Sequence, residues 1–242
     1  LLITGSGPSG LASAYAAAQN GAKVILAEDK SRFGGSLLTS EVTIGNQSGQ
    51  EWAEKIISEL KSMPNVVVKN RSQVFGYYDH NMLVMSERIS DHLPKTEKYI
   101  PKQRLWYIRA KEVIISSGSI ERPLVFGNND TPGVMLSSAA KEYLKIYGVL
   151  VGKKPLVFTN NDSGYETAIE FKKNGIDPII LDTRKDPNSE IIQEAKDLNI
   201  NIKTSYVVVA AKGYKKVNSA DIAKISEDKK NLSNIENVKC DC

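Results

Sequence analysis

The chain opens Leu1-Leu2-Ile3-Thr4-Gly5-Ser6-Gly7-Pro8-Ser9-Gly10, runs through a small-residue stretch, and reaches Val24-Ile25-Leu26-Ala27-Glu28. The pattern is a strand, a G-x-G-x-x-G turn, a helix and a second strand ending in an acid. Each part has a physical job in holding a dinucleotide. Gly5 permits the sharp strand-to-helix turn. Gly7 has no side chain, so backbone can approach a pyrophosphate. Gly10 lets the helix lie close to the sheet, and Ala12, Ala14, Ala16, Ala17 and Ala18 extend that thin face. Pro8 and Ser9 open the helix, whose N-terminus aims free N–H groups and a positive dipole end at the phosphates. Glu28 follows Gly10 by 18 residues, a spacing suited to accepting from a ribose hydroxyl. A lone glycine fingerprint is weak, but this one sits in the strand–turn–helix–strand context it requires. The alternative is a glycine-rich turn in an α/β domain that binds nothing.

The next residues are Asp29-Lys30-Ser31-Arg32-Phe33-Gly34-Gly35. An acid, a short loop and a Gly-Gly pair at this place resemble many two-domain flavoproteins. The glycines would let backbone pass close to the cofactor, and Arg32 would reach a phosphate or an adenine face. The bland reading is a plain loop.

With 242 residues, 41% of them hydrophobic and 25% charged, the chain is an ordinary globular protein of one or two domains. The net charge of +4 is mild. The lysines of residues 212–230 alternate with Asp221, Glu227 and Asp228, a solvated face and not a nucleic-acid patch. No apolar run approaches the ~18 residues of a membrane span. Cys240 and Cys242 form C-x-C, and the histidines are His80 and His92. Neither a disulfide framework nor a metal site is expected. The chain starts inside a strand without methionine and stops at Val238-Lys239-Cys240-Asp241-Cys242, which reads as the opening of another strand. It is expected to be an internal piece of a longer polypeptide.

Residues 50–63 carry Trp52, Ile56, Ile57 and Leu60 at helical spacing, and Pro64-Asn65 stops the helix. Val66-Val67-Val68 reads as a short buried strand. Residues 73–78 and 82–89 flank Asp79-His80-Asn81 as a β-hairpin, and residues 104–109 and 112–116 continue the β pattern beyond an irregular stretch, 90–104. Val113-Ile114-Ile115-Ser116-Ser117-Gly118-Ser119 is a buried strand running into a small-residue turn, and its small residues are expected close to the cofactor, as in flavoproteins with two dinucleotide-binding domains. Thr131-Pro132-Gly133-Val134 marks a crossing to a second unit, where Ser137 or Ser138 would cap a helix ending at Tyr147. Residues 155–159, 163–174 and 178–182 make a second βαβ unit. Its turn, Thr159-Asn160-Asn161-Asp162-Ser163-Gly164, keeps one glycine, and Asp162 would repel phosphate. A helix over 189–198 and a strand within 200–209 follow, and 212–237 reads as a polar surface hairpin. The expected domains are 1–125, a dinucleotide-binding domain with a β-hairpin insertion, and 126–242, a second Rossmann-like domain with a degenerate turn.

Phe75-Gly76-Tyr77-Tyr78-Asp79-His80-Asn81-Met82, Arg104-Leu105-Trp106, and Ser117-Gly118-Ser119-Ile120-Glu121-Arg122-Pro123-Leu124-Val125-Phe126 carry a more specific likeness. With Asn128-Asn129-Asp130-Thr131-Pro132-Gly133-Val134-Met135-Leu136 and Phe158-Thr159-Asn160-Asn161-Asp162-Ser163, they resemble the α subunit of heterotetrameric sarcosine oxidase over nearly the whole chain. That resemblance implies a Rossmann-like α/β fold of the FAD/NAD(P)-binding, pyridine nucleotide-disulfide oxidoreductase type, and a cytoplasmic complex with β, γ and δ subunits. It also implies oxidation of the N-methyl group of sarcosine, giving glycine, hydrogen peroxide and a one-carbon unit as formaldehyde or methylene-tetrahydrofolate. NAD would sit in the α subunit, with FAD as the alternative in the same site. FMN would lie at the interface with a partner subunit, and the amine substrate would be held by that partner. Onto this sequence the resemblance carries Gly5, Gly7, Gly10, Glu28, Arg32, Gly34 and Gly35, with Pro8, Ser9 and Asp29 between them, and Gly118 as an addition. No catalytic residue follows: His80 sits in a hairpin turn, and Tyr77, Tyr78 and Trp106 suit packing as well as a flavin edge. A related amine, opine or amino-acid dehydrogenase subunit, or a scaffold with a structural dinucleotide, stays open.

Overall fold

The computed structural model describes residues 1–95, 98–228 and 230–242. Its chain divides into two units, Leu1–Ser119 and Ile120–Cys242, whereas the sequence placed the division after residue 125.

Unit 1 runs β1 (Leu2–Thr4), α1 (Pro8–Gln19), β2 (Val24–Ala27), a small pair β3 (Thr43–Ile44) and β4 (Gln47–Ser48), α2 (Gly49–Ser62), β5 (Val66–Lys69), β6 (Ser72–Tyr78), β7 (Met82–Arg88), β8 (Gln103–Arg109) and β9 (Val113–Ile115). β5, β2, β1 and β9 form a parallel sheet in that order. β1 lies inside it, so Leu2 and Ile3 are both fully buried, as a strand covered on both faces requires. On one face Ile3 packs with Leu11, Ala14 and Ala18 of α1 and Ile56, Ile57 and Leu60 of α2. On the other, Leu2 and Ala27 meet Leu83, Met85 and Ile108 of an inserted antiparallel sheet ordered β6-β7-β8. α2 begins in a capping box, in which Ser48 and Glu51 satisfy each other's backbone N–H groups.

Three expectations for this unit change. Ala12 and Ala16 are exposed, because the inward stripe of α1 follows Gly10, Leu11, Ala14 and Ala18 at helical spacing. β5 and β9, both expected to be buried, are the edge strands of the sheet, with Val67 47% and Ile115 66% exposed. The irregular stretch ends at Gln103, where β8 starts, and its residues 96 and 97 lie outside the described set.

Unit 2 runs α3 (Ser137–Tyr147), β10 (Leu156–Thr159), α4 (Ser163–Lys173), β11 (Ile179–Asp182), α5 (Glu190–Asp197), β12 (Asn201–Thr204), β13 (Tyr206–Gly213), β14 (Val217–Lys224) and β15 (Glu236–Lys239). β10-β11-β12 is parallel, and β13-β14-β15 is antiparallel. The expected single strand within 200–209 is two strands, broken at Ser205 with φ 59°. The expected polar hairpin holds a core strand: Val217, Ala220, Ile222 and Ala223 of β14 are buried. Thr131-Pro132-Gly133-Val134 belongs to unit 2 itself. Val217 N–H donates to the Pro132 carbonyl at 2.8 Å, and Val134 packs on that core. Neither Ser137 nor Ser138 caps α3 with its side chain. The Glu121 carboxylate does so from upstream, accepting from Ser137 N–H at 3.3 Å and Ser138 N–H at 2.7 Å, and a carboxylate suits the positive helix end. Among the described residues no helix is long and apolar enough to cross a membrane.

Candidate functional site

β1 delivers the chain into the glycine turn, and its three glycines sit there for different reasons. Gly5 has φ +91°, and a Cβ on it would stand 2.3 Å from the Ser116 carbonyl oxygen. A Cβ on Gly10 would stand 2.0 Å from the Gly5 oxygen. The fold itself demands both. Gly7 differs. Its φ of −67° and ψ of −177° are extended backbone open to any residue, and a Cβ there would meet nothing in the chain within 4 Å. Pro8 follows at the helix start, where a missing N–H costs nothing, and no side chain caps α1. The first turn of α1 therefore keeps donors and a positive dipole end beside a backbone stripped of its side chain.

Glu28 is 6% exposed and faces this turn from the end of β2. Its Oε2 accepts from Ser6 N–H at 2.8 Å and from the Ser6 hydroxyl at 2.6 Å, and its Oε1 accepts from Lys30 N–H at 2.9 Å. These three donors take three of the roughly four acceptor positions of a carboxylate, and the Asp29 side chain lies against the same carboxyl. Burial pushes the Glu28 carboxyl above its usual range, and neighbouring Asp29 pushes the same way, while the donors of Ser6 and Lys30 pull it down.

The Gly-Gly loop is tied to the same residue. Gly34 N–H donates to the Ser6 carbonyl at 3.1 Å and reaches the Ser6 hydroxyl oxygen at 3.3 Å. Gly35, with φ +54°, lies so close that a Cβ would stand 2.9 Å from the Gly7 Cα. Gly5, Gly7, Pro8, Ser9, Gly10, Glu28, Gly34 and Gly35 thus come together. Asp29 and Arg32 are exposed beside them, and the Asp29 carbonyl accepts from the Arg88 guanidinium at 2.6 Å. Gly118 is less engaged. It takes φ +71° with open space around it, and Ser116 is the residue of that segment that touches the turn. Ser6 and Arg88 escaped sequence reading. The signal for Ser6 was a small polar residue between the first two glycines, beside an acid that would be buried.

The turn of unit 2 satisfies itself. Gly164 keeps the place of the third glycine, and a Cβ on it would lie 2.7 Å from Thr159 Cβ. Counting back, Thr159 and Asn161 occupy the first two glycine places. Asn161 Oδ1 accepts from Ser163 N–H at 3.0 Å and from the Ser163 hydroxyl at 2.6 Å. That amide oxygen stands where the first turn of a helix would otherwise offer its donors to an anion. Asp162 does not act as an unpaired repelling charge, because its carboxylate lies 2.8 Å from the Arg184 guanidinium, which holds its pKa below the usual range. Arg184 also grips Asp182 at 2.7 Å. Asp182 is fully buried and accepts from the Tyr165 hydroxyl at 2.8 Å. Burial, then the Asp182 contact, raises the Tyr165 pKa.

The fold and the first turn define a nucleotide-binding α/β protein, and the chain belongs to the pyridine nucleotide-disulphide oxidoreductase family, whose model matches residues 1–242. Within it, the chain is similar to sarcosine oxidase subunit alpha. It is 44% identical over 185 residues to that of Rhizobium meliloti (strain 1021), covering 76% of this chain and 19% of that protein. It is 33% identical over 233 residues to that of Corynebacterium sp. (strain P-1), covering 95% and 24%. The chain therefore spans about a fifth to a quarter of the length of these curated relatives. A solved thioredoxin reductase of T. acidophilum superposes with a TM-score of 0.71 at 16% identity, covering 99% of this chain and 73% of that one, and shares the fold.

Proposed function

We propose that unit 1 binds one dinucleotide, with its pyrophosphate over Gly7 at the N-terminus of α1 and its adenosine ribose at Glu28. The observation that carries this reading is the glycine at position 7, which the fold does not need and a closely approaching ligand does. NAD is the proposed occupant on the likeness to sarcosine oxidase alpha subunits, and Glu28 and exposed Asp29 oppose the 2′-phosphate of NADP. FAD is the second reading, favoured by the Gly34-Gly35 loop packed against Gly7. Gly5, Pro8, Ser9 and Gly10 shape the turn, Arg32 reaches a phosphate or the adenine, and Gly118 borders the cofactor. The self-satisfied turn at Asn161 supports a stoichiometry of one dinucleotide per chain.

On the likeness to sarcosine oxidase alpha subunits, the chain serves as the dinucleotide-binding part of an oxidoreductase subunit in a multisubunit complex. The proposed reaction is oxidative demethylation of sarcosine, with FMN at the interface with a partner subunit and the amine held by that partner. A bound dinucleotide or flavin supplies the redox chemistry; this chain's residues bind and orient it. The proposed partners are β, γ and δ subunits, and the proposed compartment is the cytoplasm.

The test is Gly7→Val in the full-length protein, with cofactor extracted and quantified. The backbone at Gly7 accepts a side chain, so the fold should persist while bound dinucleotide is lost. Full cofactor retention by Gly7→Val would overturn the reading.

A further inference from the structure

We propose that Ser6 is a positioning residue for the dinucleotide, holding the Glu28 carboxylate in place through its hydroxyl and fastening the Gly34-Gly35 loop to the same point. The inference rests on the dinucleotide reading of unit 1 and deepens it.

Ser6 is fully buried and lies between two glycines, so its side chain points to no solvent. Its N–H and its hydroxyl both donate to one oxygen of Glu28, at 2.8 and 2.6 Å. Its own carbonyl then accepts from Gly34 N–H at 3.1 Å. One residue thus joins three parts of the site: the phosphate turn, the acid at the end of β2, and the loop that lies on Gly7. A buried carboxylate without donors neutralises or turns away. Here the two donors of Ser6 occupy Oε2, and Lys30 N–H occupies one position of Oε1. With its own donors in place, the carboxylate can accept a ribose hydroxyl beside the Asp29 side chain. Contacts made within the chain that hold the carboxylate lower the ordering cost of binding.

The charged groups around Glu28 leave this role to Ser6. Asp29 is adjacent and repels. Lys30 contributes its N–H. From β5, the ammonium of Lys69 is paired with Glu87 at 2.9 Å. From β7, the Arg88 guanidinium is engaged on the Asp29 carbonyl. Arg71 reaches this loop through its N–H, bonded to the Lys30 carbonyl at 2.9 Å. None of these contacts supplies a side-chain cation to the Glu28 carboxylate.

The experiment titrates ADP, the half shared by NAD and FAD, into cofactor-stripped full-length protein across the acid range. The variants are Ser6→Ala, Glu28→Gln, their double, and Gly7→Val. Ser6→Ala should weaken ADP about ten-fold, the size expected for losing one hydrogen bond to a charged group. Affinity should also fail at a higher pH than in the parent, because the donor that favours charged Glu28 is gone. The double variant should bind no more weakly than Glu28→Gln alone, since Ser6 acts through that carboxylate. If Ser6→Ala does not fold, Ser6→Cys keeps the size with a weaker donor and should shift affinity and pH limb in the same direction. Loss of binding in Gly7→Val beside unchanged affinity and an unmoved pH limb in Ser6→Ala or Ser6→Cys overturns the role of Ser6 alone. Undiminished ADP binding by Gly7→Val overturns the site itself.

Discussion

The contrast between Gly10→Ala and Gly7→Ala separates what the fold needs from what a ligand needs. At Gly10 the new methyl would arrive 2.0 Å from the Gly5 oxygen, where ordinary contact begins near 3.4 Å. The first turn of α1 and the end of β1 must therefore part by on the order of 1.4 Å (3.4 − 2.0). Gly5 cannot retreat freely, because a Cβ on it would already stand 2.3 Å from Ser116. Overpacking of this kind costs about 3 kcal/mol at the upper end of its range, and the better helix propensity of alanine returns about 1 kcal/mol. The net loss is about 2 kcal/mol. At Gly7 the methyl enters open space, and a poorer helix cap costs about 1 kcal/mol, mostly offset by a stiffer unfolded chain. Both tryptophans, Trp52 and Trp106, belong to unit 1. Urea unfolding followed by tryptophan fluorescence therefore reads this unit alone, and 2 kcal/mol displaces the midpoint by about 1 M. If Gly7→Ala is as costly as Gly10→Ala, the glycine at position 7 serves the fold, and the argument for a ligand there falls.

Unit 2 should respond elsewhere. Arg184→Met leaves Asp182 buried without its cation and should cost about 3 kcal/mol, read as a lower thermal midpoint by circular dichroism with the tryptophan signal of unit 1 unmoved. Burial pushes the thiols of Cys240 and Cys242 up to about 11, so at pH 8 iodoacetamide should label them slowly in the folded chain and readily in urea. Their stabilising contribution is complete below the ordinary thiol pKa and should fade as pH rises from there toward 11.

The parallel sheet of unit 1 was legible because the signals were local and redundant: an apolar strand, a glycine turn, a helix and an acid within 28 residues. The hairpin at Asp79-His80-Asn81 was legible for the same reason, and His80 and Asn81 do adopt positive φ, 57° and 52°. β14 was hidden because its buried residues are mostly small, so Val217 to Lys224 reads as polar until a sheet covers it. The cap of α3 was hidden because Glu121 is distant along the chain from the helix it serves. In the two turns, the glycines announced themselves, while Ser6 and Arg184 did not. Their roles depend on pairing across 22 residues in one case and on a guanidinium shared by two acids in the other. Sequence reading treated Asp162 as a bare charge because it could not see the arginine that neutralises it.

The carboxamide of Asn161 has a consequence for how each unit answers to its surroundings. Asn161 takes the Ser163 N–H at the start of α4, so an added anion finds one donor fewer there. The start of α1 has no such internal acceptor. On the proposed reading, unit 1 draws part of its stability from mass action, growing as RT ln(1 + [L]/Kd) with free dinucleotide. A cell depleted of the nucleotide would then lose unit 1 first, while unit 2 held its shape. On the same reading, Thr159 and Asn161 in two glycine places would make one βαβ unit indifferent to supply, and Gly7 would keep the other responsive to it.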